Sequence, residues 1–353
     1  MPETPQAAPP VPRANLAAVL ERPRRIELRE LAVPSPGERE LLIEVRSVGV
    51  CGSDVHYYEE GRVGGFVVRS PLVLGHEAAG VVAGAGPRAG RIQPGTLVAI
   101  EPGVPCRACP QCRAGRYNLC PDIRFLATPP VDGAFTRYLT VPEDSCYPVP
   151  PSLTADAAAL IEPLSVGIWA CRRAGIGIGD RVLITGAGPV GLLAALTARA
   201  AGASPTVCDI NPARLARARG LGIQSTANLR EQDIAALGRY DAFLECSGAD
   251  AVAAAGLAAL RPAGQAVLVG MSAGDDLTLP LSLLQTRELT VTGSFRYANT
   301  YPAAIALAAT GAVPLADLVD AVFPLGRAAD ALQATRNDPS LLKVIVHPEE
   351  VEK

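Results

Sequence analysis

The pattern of apolar and polar residues changes near residue 163. Before this point, short runs of β-branched and aliphatic residues are separated by glycine and proline, which is typical of strands, for example at 41–50, 80–86 and 96–100. After it, strand-length apolar runs alternate with alanine-rich stretches of helical period. This alternation predicts β-α-β units around a parallel sheet. The expected fold class is therefore α/β, with a barrel-like β domain preceding the α/β domain.

The elements of the second half can be placed individually. The first β-α-β unit is predicted as a strand at 181–186, a helix at 189–202 and a strand at 205–210. Its continuation is predicted as a strand at 240–248, a helix at 251–264, and strands at 265–270 and 288–295. The rest of the chain is predicted to form helices at 303–311 and 328–337 and a closing strand at 341–346.

The length of 353 residues favours two domains, at roughly 150 residues each. Because the parallel sheet is complete by residue 295, we predict that the C-terminal segment returns to the first domain. The predicted boundaries are 1–163 with 296–353 for the β-rich domain, and 164–295 for the α/β domain. Residues 1–13, rich in proline and alanine, are predicted to form a mobile tail.

Composition and net charge limit the classes of ligand that we expect this protein to bind. Hydrophobic residues make up 49% of the chain and charged residues 19%, with a net charge of −3. This balance gives no electrostatic reason to expect nucleic acid or an anionic membrane, and it favours a small neutral ligand. The sequence lacks an apolar run of about 18 residues and the features of a signal peptide. We therefore expect a cytoplasmic protein.

The stretch 51–77 contains a candidate metal site. Cys51, His76 and Glu77 offer a thiolate, an imidazole and a carboxylate, a set that suits Zn²⁺ and leaves a fourth position open for catalysis. Gly52 and Gly75 flank these ligands, and glycine permits the backbone turns that would bring them together. A single cysteine, or a histidine beside a glutamate, is more often structural, so the interpretation depends on the remaining chain.

A glycine-rich turn after the strand at 181–186 supplies that context. Gly186, Gly188 and Gly191, with Pro189 and Val190 between the last two, form a GxGxxG pattern that opens an apolar helix. In this position the pattern predicts a dinucleotide site, because the glycines let the backbone approach a pyrophosphate at the helix N-terminus.

The following strand ends in Asp209, 18 residues after Gly191. A carboxylate near this spacing binds the adenosine ribose, and it would repel the 2′-phosphate of NADP. NAD is therefore favoured, although Arg214 could soften the repulsion. The remaining residues assigned to the cofactor lie at the ends of later strands: Val269, Gly270, Met271, Phe295 and Arg296.

A second metal site is predicted from four cysteines in the pattern C-x2-C-x2-C-x7-C. They are Cys106, Cys109, Cys112 and Cys120. Four thiolates at these spacings can close a tetrahedral structural Zn²⁺ site. An iron–sulfur cluster is the alternative, since Pro121 follows the last cysteine, but the gap of seven residues argues against it. The other cysteines near apolar runs are interpreted as core residues: Cys146, Cys171, Cys208 and Cys246.

Together these motifs resemble a known family. The segments CGSDVHYYEEGR, VLGHEAAG, CRACPQCRAGRYNLC, ATPPVDGAF, LIEPLSVGIWACRRA, GAGPVG and GSFRYANTYP are similar to the zinc-dependent medium-chain alcohol and polyol dehydrogenases, with sorbitol and xylitol dehydrogenases nearest. The resemblance implies a GroES-like catalytic domain, a Rossmann NAD-binding domain and an active-site cleft between them. It also implies a homotetramer, or in some relatives a dimer.

The resemblance further implies NAD⁺-dependent oxidation of a secondary hydroxyl of a sugar alcohol. Ser53 and His56 are expected to relay the hydroxyl proton. The family differs in whether the GHE glutamate, here Glu77, or the residue at Glu162 binds the metal. Cys51 and Glu77 already neutralise Zn²⁺, so we expect Glu162 to act through a bound water.

By the same resemblance, six residues line the polyol pocket: Tyr57, Phe66, Phe125, Thr128, Arg296 and Tyr297. Arg296 and Tyr297 could bind substrate hydroxyls, together with Glu162. A related zinc dehydrogenase acting on 2,3-butanediol or L-threonine is the alternative enzyme. An NAD-binding sensor without catalysis is disfavoured, because the candidate metal ligands and Glu162 are all present.

Overall fold

The computed structural model describes residues 14–271 and 276–349, and the predicted N-terminal tail lies outside them. Contacts divide the chain into two compact units. The first comprises Met1–Glu162 and Leu315–Lys353 as far as these are described, and the second comprises Pro163–Pro314. Within the described segments, every helix is too short or too polar to cross a membrane.

The first unit is built mainly from antiparallel strands. Its N-terminal part contains β1 (Ala14–Arg22), β2 (Arg25–Ala32), β3 (Glu40–Gly49), β4 (Arg62–Val63), β5 (Phe66–Val67), β6 (Leu72–Val73), β7 (Glu77–Ala85), β8 (Leu97–Ile100), β9 (Gly103–Val104), β10 (Arg124–Phe125), β11 (Tyr138–Pro142) and β12 (Cys146–Pro148). Three short helices lie between or after them: α1 (Gly52–Glu60), α2 (Pro110–Arg113) and α3 (Ala155–Ala159).

The C-terminal segment completes this unit with β19 (Val319–Pro324), α10 (Ala328–Asn337) and β20 (Lys343–His347). The main sheet has seven strands in the order β12-β8-β7-β3-β20-β19, with β11 also paired to β3. A second sheet has the order β2-β1-β6. Buried and less buried positions alternate only weakly along strand β3, because most of its residues are buried, as its apolar sequence predicts.

The second unit contains a six-stranded parallel sheet. Its strands are β13 (Arg181–Thr185), β14 (Ser204–Asp209), β15 (Ser225–Asn228), β16 (Tyr240–Glu245), β17 (Leu260–Leu268) and β18 (Thr290–Gly293). They lie in the order β15-β14-β13-β16-β17-β18. The order reverses between β13 and β16, where ligands bind in such sheets.

One helix of this unit precedes its first strand, and the others follow strands. They are α4 (Ile161–Arg173), which begins in the first unit, α5 (Pro189–Ala200), α6 (Pro212–Gly220), α7 (Asp250–Ala258), α8 (Leu281–Thr286) and α9 (Tyr301–Ala309). Helices α4 and α5 pack closely, because a side chain on Gly167 would come within 2.8 Å of the Ala194 backbone nitrogen. Short 3₁₀ turns occur at Tyr117–Leu119, Glu143–Ser145, Ile234–Ala236, Leu315–Leu318 and Leu325–Arg327.

Two expectations differ from the observed elements. The predicted helix 251–264 ends at Ala258, and Leu260 already begins a strand that pairs with β16 and β18. The chain returns to the first unit at Leu315 rather than at 296. The intervening segment stays with the second unit because Arg172 donates to the carbonyl of Asn299, and Arg199 to that of Ala312.

Candidate active site

Three predicted metal ligands converge in the first unit. Cys51 lies where β3 ends and α1 begins, and Glu77 is the first residue of β7, the neighbour of β3 in the sheet. One ligand atom from each of Cys51, His76 and Glu77 lies within 4.8 Å of the others. His76 and Glu77 are 8% and 1% exposed. The group is therefore a compact, largely buried set of donors.

The adjacent His76 and Glu77 reach one point because the backbone turns before the strand. Gly75 has a φ of +88°, a left-handed conformation, and a side chain there would come within 2.8 Å of Phe135 and Val48. Only glycine satisfies both conditions. Gly52, by contrast, is an ordinary first residue of α1 with open space around its Cα, so the turn does not depend on it.

Asp54 is a residue of this site that the sequence interpretation missed. Its fully buried carboxylate accepts hydrogen bonds from the backbone of Cys51 and Gly75, at 3.1 and 3.0 Å, and lies 3.5 Å from Nδ1 of His76. It therefore orients the imidazole and connects both loops. Its position on the first turn of α1, three residues after the cysteine, was the available signal.

Neighbouring charges determine the pKa values of His76 and Asp54. Burial lowers the pKa of His76, but the Asp54 carboxylate and the Cys51 thiolate outweigh it and raise the pKa well above its usual value. Burial likewise raises the pKa of Asp54, but the charge of His76 and the hydrogen bonds of Gly75 and Cys51 lower it overall. A proton and a metal ion therefore compete for this imidazole.

Lys343 is the second residue that was missed. From β20, its buried ammonium donates to Glu77 Oε1 at 2.5 Å and to the carbonyl of Val50 at 2.9 Å. Gly49 leaves room for this carboxylate, since a side chain there would come within 2.0 Å of Glu77 Oε2. The sequence did contain a signal, because Lys343 and Lys353 are its only lysines.

The donor set fits a divalent cation. Cys51 as thiolate, Glu77 and Asp54 contribute three negative charges, and Lys343 contributes one positive charge. With His76 neutral, as a metal ligand must be, the remaining excess of two negative charges would be costly to bury without a cation. A thiolate, an imidazole and a carboxylate are also ligands that Zn²⁺ accepts.

The predicted relay residues lie on α1 and α4. Ser53 is half-buried on the first turn of α1, whereas the His56 side chain is 54% exposed, with Nδ1 3.5 Å from Glu60. Glu162 is buried near the start of α4, and its charge helps to raise the pKa of Lys343, though Glu77 contributes more against the opposing effect of burial. Glu162 is absent from the described cluster of three ligands.

The predicted pocket residues of the first unit differ in burial. Phe125 is buried, with its ring centroid 5.8 Å from that of His76. Tyr57 is buried on α1, and Thr128 is half-buried. Phe66 is 43% exposed on the short strand β5. Phe125 is thus the candidate that the fold places directly beside a metal ligand.

The four cysteines of the lobe also converge. Cys106, Cys109, Cys112 and Cys120 have sulfur atoms within 4.8 Å of one another, including 3.5 Å between Cys109 and Cys112. Sulfurs bound to one tetrahedral Zn²⁺ at about 2.3 Å are separated by similar distances. Backbone N–H groups of Cys109 and Cys112 point at the sulfurs of Cys106 and Cys109, at 3.3 and 3.4 Å.

The thiols of this lobe do not ionise equally on their own. Backbone hydrogen bonds from Ala108 and Cys109 lower the pKa of Cys106 to about 7. Loss of solvent, followed by the neighbouring Cys109 and Cys120, raises the pKa of Cys112 to about 12. A bound cation would favour the thiolate of Cys112 as well as that of Cys106, which fits the predicted metal site.

In the second unit, the glycine-rich turn joins β13 to α5. Gly186 has a φ of +90°, Gly188 is the N-cap of α5, and Pro189 occupies its first turn before Val190. A side chain on Gly191 would come within 1.9 Å of the carbonyl oxygen of Gly186. The helix therefore begins directly against the turn, as a pyrophosphate site requires.

Asp209 lies at the end of β14 beside this turn. Its carboxylate accepts hydrogen bonds from the Ala187 and Asn211 backbone nitrogens, at 2.6 and 2.8 Å. Asn211 in turn caps α6, and Arg214 is half-buried in the first turn of that helix. The carboxylate predicted to bind ribose is thus held rigidly next to the glycines.

The other residues assigned to the cofactor follow β17 and β18. Val269 and Gly270 donate to the carbonyl of Glu245, while Met271 is exposed. After β18, Phe295 is exposed and Arg296 lies over its ring with a φ of +51°. Tyr297 is buried, with its ring 5.8 Å from that of Tyr301.

Family models match most of the folded chain. The alcohol dehydrogenase GroES-like domain matches residues 37–151, and the zinc-binding dehydrogenase domain matches residues 189–310. Sorbitol dehydrogenase of Rattus norvegicus is 42% identical over 349 residues, which cover 96% of this chain and 97% of the relative. Sorbitol dehydrogenase of Bacillus subtilis (strain 168) is 42% identical over 347 residues, covering 96% and 98%.

Solved structures share the whole fold. L-idonate 5-dehydrogenase of Escherichia coli has a TM-score of 0.89 at 31% identity, covering 95% of this chain and 98% of that one. A zinc-binding dehydrogenase of Sinorhizobium meliloti 1021 bound to NADP has a TM-score of 0.88 at 30% identity, covering 95% and 99%. For 2R,3R-butanediol dehydrogenase of Bacillus subtilis the values are 0.87 and 26%, covering 95% and 100%. The predicted fold class, a GroES-like domain with a Rossmann domain, is confirmed.

Proposed function

The chain belongs to the zinc-dependent medium-chain dehydrogenases, which makes it an oxidoreductase acting on CH–OH donors, and from this premise we propose its substrate class. It oxidises a secondary hydroxyl of a five- or six-carbon sugar alcohol, such as xylitol or sorbitol, to the ketose. The reaction is reversible and uses NAD⁺. The convergence of Cys51, His76 and Glu77, in a chain 42% identical to sorbitol dehydrogenases, carries the proposal.

Cys51, His76 and Glu77 would hold the catalytic Zn²⁺, and the four cysteines of the lobe would hold a structural one. At the first site, bound Zn²⁺ supplies the Lewis acidity that makes a substrate hydroxyl easier to deprotonate. We assign Glu162 to act through a bound water, where it would orient that water or the substrate hydroxyl, rather than to bind the metal. Glu162 would be a third charged ligand, and it would add negative charge where Cys51 and Glu77 already balance the ion.

On oxidation the carbinol carbon would lose a hydride and the hydroxyl oxygen would lose a proton, and bound NAD⁺ would supply the hydride acceptor. We assign Ser53 to the first step of the proton's path and His56 to the last. The exposure of the His56 side chain, 54%, suits a residue that releases protons to water.

NAD rather than NADP is proposed because of Asp209. Its carboxylate is fixed by the Ala187 and Asn211 backbone, so it cannot easily turn away from an added 2′-phosphate. The structurally similar dehydrogenase bound to NADP makes this a point for direct measurement. Arg214 is the residue through which some NADP use would be tolerated.

We propose that six residues line the substrate pocket and determine its specificity: Tyr57, Phe66, Phe125, Thr128, Arg296 and Tyr297. A pocket that hydrogen-bonds several hydroxyls rejects analogues that lack them, because its own polar groups would be left unpaired. The alternative substrates are 2,3-butanediol and L-threonine. The similarity of the fold to a butanediol dehydrogenase supports the first of these.

The deciding experiment offers purified enzyme a panel of C4 to C6 polyols, 2,3-butanediol and L-threonine, each with NAD⁺ and NADP⁺, and follows reduction at 340 nm. We expect xylitol or sorbitol with NAD⁺ to give the highest kcat/KM, and a chelator to abolish the activity. Turnover of butanediol or threonine alone would reject the polyol assignment. Metal analysis should find about two Zn²⁺ per chain.

We also propose a cytoplasmic homotetramer, with a dimer as the alternative. The proposed assembly rests on the family resemblance, and the proposed location rests on the sequence. Sedimentation of the purified protein at several concentrations distinguishes the two assemblies.

A further inference from the structure

The buried side chain of Glu245, at the end of β16, is used by none of the steps above. It is 3% exposed. Its Oε1 accepts hydrogen bonds from the backbone of Ser247 at 2.7 Å and of Gly248 at 3.1 Å, from the Ser247 hydroxyl, and from the Thr185 hydroxyl at 3.3 Å. Oε2 accepts from Gly248 at 3.0 Å. The Glu245 carboxylate is therefore hydrogen-bonded both to the turn that follows β16 and to Thr185 at the end of β13.

This turn lies directly against the glycine-rich turn. A side chain on Gly186 would come within 3.0 Å of the carbonyl group of Cys246 and of the Ser247 Cα. The backbone of Cys246 also donates to the Thr185 carbonyl at 2.9 Å. Any change in the turn after β16 is therefore transmitted to Gly186 by contact.

The turn after β17 is attached to the same residue. The backbone carbonyl of Glu245 accepts from Val269 and Gly270 at 2.8 and 2.9 Å. A side chain on Gly270 would come within 2.8 Å of Glu245 Oε2, and one on Gly248 within 2.3 Å of the Met271 carbonyl oxygen. Three consecutive turns at one edge of the sheet are thus joined through Glu245.

These turns lie at the carboxyl ends of β13, β16 and β17, where the strand order reverses. A dinucleotide lies across such a point, with its pyrophosphate at the first turn and its halves over neighbouring strands. Resting on the proposed nicotinamide chemistry, we propose that Glu245 is a positioning residue for the cofactor. It sets the turns after β16 and β17 relative to Gly186 so that both can receive the nicotinamide half.

The test compares three variants, Glu245→Gln, Ser247→Ala and Thr185→Val, with a matched control, Glu143→Gln. Glu143 is also a buried carboxylate that accepts backbone hydrogen bonds, from Gly90, Arg91 and Ile92, but it belongs to the first unit. NADH binding is measured directly by its fluorescence, alongside KM for NAD⁺, kcat and the melting temperature. Direct binding needs no polyol, so it is independent of the substrate assignment.

We expect Glu245→Gln to raise the Kd for NADH and the KM for NAD⁺ about tenfold or more, because its amide nitrogen would face the N–H of Gly248. Ser247→Ala and Thr185→Val should each give about a threefold change, and kcat at saturating NAD⁺ should change by less than about threefold. Glu143→Gln should leave Kd unchanged even where it lowers the melting temperature.

The inference is overturned if wild type binds NADH and all three variants, assayed well below their melting temperatures, bind it within about twofold of wild type. A Glu245→Gln chain that does not fold leaves Ser247→Ala and Thr185→Val to decide the same question. Wild-type protein that binds neither NADH nor NAD⁺ would overturn the proposed function itself, and this inference with it. Binding of NADH without polyol oxidation would reject only the substrate.

Discussion

The Lys343 ammonium offsets the charge of the carboxylate of Glu77, one of the three predicted metal ligands. In the metal-free protein, Lys343→Met removes the ammonium that is hydrogen-bonded to this buried carboxylate, so we expect the free energy of unfolding of the first unit to fall by about 3–5 kcal/mol. Adding Glu77→Gln to this variant should restore most of the loss. Urea denaturation of both single variants and the double variant measures the coupling.

A matched surface pair provides the control. Arg88 forms an ion pair with Glu38, and their side chains are 58% and 69% exposed. Arg88→Met should change the free energy of unfolding by less than about 1 kcal/mol. A loss for Lys343→Met no larger than this would contradict the role assigned to Lys343.

Glu101 provides a prediction about pH. It is 6% exposed and accepts hydrogen bonds from the Tyr117 and Tyr147 hydroxyls at 2.7 and 2.8 Å, yet burial raises its pKa above the ordinary value of 4.5. The folded state therefore holds this proton more tightly than the unfolded state, and wild type loses that stability as the pH rises through the raised pKa. Glu101→Gln lacks this loss.

We accordingly expect the stability of Glu101→Gln relative to wild type to increase from pH 4.5 upward and then level off. Melting temperatures of both proteins across this range measure the difference. A difference that is constant with pH, or that increases towards acid, would show that Glu101 is not protonated preferentially in the folded state.

At the scale of elements, two glycines beside the metal ligands provide a matched comparison. Gly75→Ala forces an alanine into a φ of +88° and against Phe135 and Val48, so we expect it to destabilise the protein by about 2 kcal/mol or more and to weaken metal binding. Gly52→Ala meets open space on the first turn of α1 and should be neutral or stabilising by up to about 1 kcal/mol.

Urea denaturation and metal content of the two purified variants measure this comparison. Equal metal content and equal stability would mean that the turn before β7 does not depend on the left-handed conformation of Gly75.

The sequence was sufficient where local pattern determines structure. The strand ending in Asp209 and the helix opening at Gly188 follow from apolar periodicity and glycine spacing. The helix predicted through 264 was wrong beyond Ala258, because Leu260 pairs with Tyr240 of β16 and because Pro262 and Gly264 disfavour a continued helix. The Lys343–Glu77 pair joins residues 266 positions apart, and no local pattern connects them.

At the scale of the whole molecule, the two units are connected differently by the chain. The second unit is one continuous segment with its own parallel sheet and a core that includes Leu183, Phe243 and Leu257. The first unit is assembled from two segments, since β20 lies between β3 and β19. Its core includes Leu325, Leu332, Val344 and Val346 from the C-terminal segment, packed with residues of the N-terminal one.

This difference predicts how fragments behave. A fragment of residues 163–314 retains every strand of its sheet, so we expect it to unfold cooperatively and to bind NADH. A fragment of residues 1–162 lacks β19 and β20, exposing the edge of β3 and part of its core, and also lacks the Lys343 that offsets Glu77. It should not unfold cooperatively, and adding a peptide of residues 315–353 should restore a transition. Circular dichroism during urea titration measures all three samples. Cooperative unfolding of 1–162 alone would show that the returning strands are dispensable for the first unit.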